Sequence, residues 1–185
     1  MTPAAPLHPQ LQALADEFHF ATARLHALVQ AVPAERWPVR RDPARWSVAE
    51  CVAHLNLTGA AYEGILREAL TRCPAPAKPF TGRYRRDLLG WFLWRTMPPP
   101  VKTRYQTVAA FIPESVAPLP QLVAEFERSQ AMQLRFLEEA DGRPLNGVKV
   151  TSPFSEKVRY NLYSCFAILP AHQHRHLWQA EQVWR

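Results

Sequence analysis

The strongest constraint on this chain is a helical period that recurs in four long stretches, residues 10–31, 48–71, 119–140 and 158–184, with prolines crowded between them. In the first stretch Leu11, Leu14, Phe18, Ala21, Leu25 and Leu28 alternate spacings of three and four, a narrow apolar seam that suits helix-on-helix packing. The second opens on a capping box, with Ser47 placed to cap the helix and Glu50 placed to reach back to the Ser47 amide. Trp46, just ahead of the cap, is positioned to staple onto Cys51. In the third, Leu122, Val123, Phe126, Leu134 and Leu137 form the apolar side. Ser129, Gln130 and Gln133 interrupt it and read most simply as exposed positions, a polar cavity being the alternative. Glycine occurs 6 times and proline 18 times, which disfavours hairpins and puts breaks between helices. LNGVKVTS at 145–152 alternates like a strand but is too short to change the reading. Ser152 and Pro153 suit the N-cap and first turn of the last helix, and Pro170 predicts a kink inside it. The expected fold is all-α, a four-helix bundle forming a single domain over 1–185.

The last stretch also carries three of the seven histidines, in AHQHRH at 171–176. At about 100° per residue, His172 and His176 lie ~40° apart on one face, and His174 lies ~200° from His172 on the other. Two imidazoles one turn apart can close on a single metal ion. Spacing alone leaves open two core histidines bonded to carbonyls. The same face carries Cys165, Ile168 and Leu169 before the pair and Gln179 and Val183 after it, so the pair points inward. An unpartnered imidazole is costly to bury, and a third group is expected there. His54 shares a face of the second helix with Glu50, Thr58, Ala61 and Ile65, and by itself reads as a satisfied core histidine. His19 and His26 flank the first seam as surface residues.

Residues 72–103 break the helical pattern, mixing Leu88, Leu89, Trp91, Phe92 and Trp94 with Arg83, Arg85, Arg86 and Arg95. The simplest reading is a short helix packing its aromatics over the bundle, as a lid or a dimer contact. A membrane-surface segment and single-stranded nucleic-acid stacking are the alternatives, the latter without any accompanying binding motif. A net charge of +6 spread over 185 residues keeps a protein soluble more often than it marks a nucleic-acid partner. Cys51, Cys73 and Cys165 have no CxxC spacing and suggest reduced thiols. MTPAAPLHPQ lacks a secretory pattern, and no apolar run approaches the ~20 residues of a membrane span. A cytoplasmic protein is expected.

Two motifs, RWSVAECVAHL at 45–55 and AHQHRHLWQAEQV at 171–183, together resemble the DinB-like/YfiT superfamily of metalloenzymes. In that family a Trp-Ser pair opens the second helix with a histidine seven residues after the serine, as Trp46, Ser47 and His54 do here. Its last helix carries two histidines four apart with a glutamine three further on, matching His172, His176 and Gln179. The segment at 80–100 has no counterpart in the resemblance. What the resemblance implies is an antiparallel four-helix bundle, often a homodimer, whose three histidines His54, His172 and His176 hold one divalent metal at an end of the bundle. Gln179 would orient a ligand or water.

Imidazole-only ligation suits Zn²⁺, with Ni²⁺, Fe²⁺ and Mn²⁺ as alternatives, and leaves coordination positions open for a water or thiol whose pKa the ion lowers. His172 is followed by Gln173, so no HExxH glutamate is present. The resemblance implies a small-molecule enzyme, a thiol S-transferase using a low-molecular-weight thiol or a hydrolase, with the transferase preferred. The rival is a non-catalytic, stress-related bundle with a structural ion, and nucleic-acid or membrane binding through the basic aromatic segment ranks below both.

Overall fold

The computed structural model describes residues 6–100 and 107–185, so MTPAA and the last residues of the 72–103 segment lie outside the described residues. Among the described residues run α1 (Pro9–Ala31), α2 (Val48–Thr71), α3 (Leu88–Thr96), α4 (Leu119–Ala140), β1 (Lys149–Ser152), β2 (Ser155–Asn161) and α5 (Leu162–Trp184), with 3-10 turns at Ala34–Arg36 and Ala109–Phe111. The protein is mostly helical, and β1 and β2 form one antiparallel hairpin.

All six apolar residues of the α1 seam are buried. Each such leucine or phenylalanine contributes roughly 1.5–3 kcal/mol through burial. The capping box sets the start of α2: the Ser47 hydroxyl accepts from the Glu50 amide at 3.2 Å, and Glu50 Oε2 accepts from the Ser47 amide at 2.8 Å. The four long helices contact one another in a closed ring, α1 with α4, α4 with α2, α2 with α5 and α5 with α1. Gly59 permits the α2–α4 approach, because a Cβ there would run into the Ser129 hydroxyl. Gly90 does the same for α3 against Ser164 of α5.

The core is two apolar clusters with a polar layer between them. One contains Phe18, Tyr62, Phe136 and Phe166, and the other Leu25, Val52, Phe126 and Leu177. Where they meet, the buried side chains are His54 and Thr58 of α2, Gln130 and Gln133 of α4, and Gln173 and His176 of α5. Gln130 and Gln133 are thus buried, against the expectation of exposed positions. The reason is Gln173, whose amide reaches both of them across the helix interface.

The hairpin corrects the expected start of the last helix. Val158 to Asn161 are strand, Ser152 ends β1, and Pro153 and Phe154 are the hairpin turn, not the start of a helix. Asn161 is the N-cap instead, accepting from the Ser164 amide at 2.8 Å. Val158 and Tyr160 face inward at a spacing of two, a pattern too brief to separate from a helical one. Pro170 sits inside an α5 that runs unbroken to Trp184.

The segment between α2 and α4 contains α3, capped by Asp87, whose carboxylate accepts from the Gly90 amide. Leu93 and Trp94 pack inward against the core, and the Arg86 guanidinium lies 3.8 Å over the Trp94 ring. Leu88, Leu89, Trp91 and Phe92 stay exposed, so one face of α3 is left uncovered. No helix among the described residues is long and apolar enough to cross a membrane.

Candidate metal centre

α2 and α5 bring His54, His172 and His176 together, with one nitrogen of each within 4.8 Å of the others. Ring centroids are 4.4 Å apart for His54–His176, 4.5 Å for His172–His176 and 5.2 Å for His54–His172. The helical spacing explains the α5 pair, and the capped start of α2 fixes how far His54 lies from its N-terminus.

His54 is oriented by the backbone. Its Nδ1 donates to the Phe111 carbonyl at 2.7 Å, from the 3-10 turn Ala109–Phe111. That fixes the tautomer and leaves the Nε2 lone pair directed at His172 Nε2, 3.3 Å away. Two bare ring nitrogens this close repel unless a proton or a cation lies between them. On the α5 side, His176 Nδ1 and Gln179 Oε1 are buried without hydrogen-bond partners among the described residues. Gln179 approaches His176 closely enough to favour its protonated form slightly, yet the geometry stops short of a hydrogen bond.

Burial and neighbouring charge keep the cluster neutral. Burial, then His54 and Arg175, push His172 down to about 3. Burial, then His172, His54 and Arg175, put His176 well below the ordinary histidine value. Burial lowers His54 as well, against the opposing pull of the Phe111 carbonyl. Three neutral imidazoles are the protonation state in which histidine binds metal. Among the described residues no carboxylate or thiol joins them as a ligand. The donor set and the orphaned nitrogen both fit a divalent ion bound by imidazole.

Aromatic rings wall the cluster. The Trp46 ring lies 4.9 Å from His54 and 6.0 Å from His176, a contact beyond the staple expected from its place before the cap. Phe154, from the hairpin turn, lies 5.8 Å from His172 and 4.6 Å from Phe111. Phe111 and Phe154 escaped sequence reasoning because both reach the site from irregular segments, where no periodicity marks a side chain's direction. Glu50, one turn before His54, is occupied elsewhere, holding the Ser47 amide and receiving Arg40 Nε at 2.8 Å. Burial alone would raise its carboxyl, but Arg40 and the Ser47 amide and hydroxyl outweigh that and hold it below the ordinary range.

The remaining histidines behave differently. His174 projects from the opposite face of α5, with Nε2 2.8 Å from Glu17 Oε2 and Nδ1 3.1 Å from Arg24. His26 is exposed beside Glu127, and His19 is exposed. Along α5 the pair His172 and His176 falls between residues of the two apolar clusters.

The family model described as DinB superfamily matches residues 17–180, a span that includes all three histidines and Gln179. No curated protein and no solved structure matches the chain.

Proposed function

The chain belongs to the DinB superfamily, and from that premise we propose that it is a metal-dependent enzyme acting on a small molecule, with His54, His172 and His176 as ligands of one divalent ion. The observation that carries this reading is the convergence of three neutral imidazoles, one of them locked by the Phe111 carbonyl with its free nitrogen turned to the others. A bound ion would supply Lewis acidity there, lowering the pKa of a water or thiol placed in an open coordination position. Zn²⁺ suits imidazole ligands best, and Ni²⁺, Fe²⁺ and Mn²⁺ share the donor preference.

The residues around the cluster have separable roles. Phe111 holds the His54 tautomer through its carbonyl. Trp46 and Phe154 exclude bulk water, which strengthens every electrostatic interaction at the site. Gln179, with an unused carbonyl oxygen one turn beyond His176, is placed to orient a ligand. Thiol S-transfer is preferred over hydrolysis, because Glu50 is tied to Arg40 and Ser47 and, among the described residues, no carboxylate groups with the three histidines as a general base. A low-molecular-weight thiol, once deprotonated, needs no such base to attack an electrophile.

We also read the four long helices as an antiparallel four-helix bundle, one domain over 1–185 with 72–103 inserted between the second and third of them. Their closed ring of contacts and the length of the family match support this. A cytoplasmic homodimer fits three buried free thiols and the uncovered Leu88, Trp91 and Phe92 of α3.

The experiment is to reconstitute the protein with each ion and follow consumption of small thiols with a halogenated electrophile, beside a nitrophenyl ester. Thiol consumption that a chelator abolishes while the helical circular-dichroism signal persists is expected. Loss of fold on chelation with no turnover would favour the non-catalytic reading, in which the ion clamps α2 to α5.

A further inference from the structure

Beside His172 lies a recess of about 160 Å³ that the three-histidine reading leaves unexplained. Its walls come from four places: Tyr62 of α2, Leu93 of α3, Phe154 and Val158 of the hairpin, and Leu169 and His172 of α5. The larger groove of about 1150 Å³, between α2, α4 and residues 109–117, touches none of the three histidines. Of the two, the small recess shares a wall with the candidate centre, through His172.

Its chemistry is one-sided. The hydroxyls of Tyr62 and Tyr160, both on the lining, bond each other at 2.6 Å. The Ser152 hydroxyl, also on the lining, accepts from the Phe154 amide at 3.2 Å. These three hydroxyls are thus spent within the protein, and what faces the cavity is almost wholly apolar. An apolar cavity of roughly 150 Å³ stays dry and accepts benzene. The rings of Tyr62, Phe154 and Tyr160 are also suited to edge or face contact with another aromatic ring.

We propose that this recess receives an aryl group of the substrate, benzene-sized, while the substrate's reacting atom lies at the three imidazoles. The proposal rests on the metal-centre reading and adds the substrate class to it. It also accounts for the 72–103 segment and the hairpin, since α3 and β2 close the recess from the side that α2 and α5 leave open.

The test uses the full chain and two probes. Benzene is titrated against methyl-labelled protein, metal-free and as the His54→Ala/His176→Ala variant, watching the Val158, Leu93 and Leu169 methyls. Benzyl mercaptan and 2-mercaptoethanol are then titrated against Co²⁺-loaded protein, following the thiolate-to-cobalt absorption band. Saturable benzene shifts at those methyls are expected in both metal-free proteins. Benzyl mercaptan should bind about ten-fold or more tightly than 2-mercaptoethanol, the gain from burying a phenyl group. Val158→Trp, which fills the recess, should remove both effects while Co²⁺ uptake is retained. Intermolecular NOEs from benzene to the Val158 and Leu169 methyls locate the probe even if that variant does not fold. Cobalt uptake with no benzene shifts and equal thiol affinities would overturn this inference and leave the metal centre standing. Benzene shifts with no metal uptake would overturn the metal centre, and with it the tie between the recess and the chemistry.

Discussion

The polar layer between the two apolar clusters has two halves, and they are finished differently. On the α1–α4 side, Gln173 donates to Gln130 and Gln133 at 2.7 and 3.2 Å, and Gln130 donates to the Phe18 carbonyl at 2.8 Å and to Thr22 at 3.0 Å. His174 nearby has a carboxylate on one nitrogen and a guanidinium beside the other. On the α2 side, His54 is held by one carbonyl, and His172 and His176 have chiefly each other and His54. The first half meets its hydrogen-bond demand within the chain, Gln173 Oε1 excepted. The second gathers ring nitrogens that face one another, with His176 Nδ1 left without a hydrogen-bond partner among the described residues, an arrangement that a shared cation would complete. Two sides of one helix thus separate polar residues that hold the fold together from polar residues arranged for a ligand.

The sharpest way to break this contrast is to remove a ligand from the open half. His54→Ala or His176→Ala should lower divalent-metal affinity more than the roughly 100-fold at which losses of outer partners top out, as read by competition with a chromogenic chelator. Thermal stability of the metal-free protein should change far less. In the closed half the expectation inverts. Gln173→Leu strips Gln130 and Gln133 of their shared donor, which should cost about 1–3 kcal/mol in urea unfolding and leave metal stoichiometry intact.

The capping box tests whether stability and site share a support. Ser47→Ala should cost about 1 kcal/mol, or roughly 2–4 °C in Tm. Glu50→Gln should also lower Tm, and its effect should depend on pH. The Glu50 carboxyl, facing Arg40 and beside Cys51, titrates lower in the folded chain than in the unfolded one. Its stabilisation is therefore complete above the unfolded value and disappears as pH falls through the folded one. The Tm gap between wild type and Glu50→Gln should be full at neutral pH and close in acid. The smallest effect is expected from His174→Ala, which should leave metal affinity unchanged within about two-fold although it lies between the two α5 ligands in sequence.

Legibility in the sequence followed the range of the interactions. The approximate bounds of α2 and α4 were legible, because capping residues and prolines act within one turn. The α5 pair was legible for the same reason: a four-residue spacing is a local property. That His54 belongs with it could not be derived from spacing, since α2 and α5 meet only through tertiary packing, and there the family resemblance supplied the link. Gln130 and Gln133 looked like solvent-facing residues because their partner, Gln173, lies 40 or more residues away. The hairpin was hidden by its brevity, with Val158 and Tyr160 fitting a strand and a helix start equally well. Phe111 and Phe154, which enclose the centre, sit on turns where no repeating pattern exists to be read.

Whether His54, His172 and His176 form one divalent-metal site is decided by elemental analysis of untagged protein. One divalent ion per chain in the wild type and none in the His54→Ala/His176→Ala variant is the expected result. A wild type that holds no ion after reconstitution with Zn²⁺, Ni²⁺, Fe²⁺ or Mn²⁺, or a variant that keeps its ion, would contradict it.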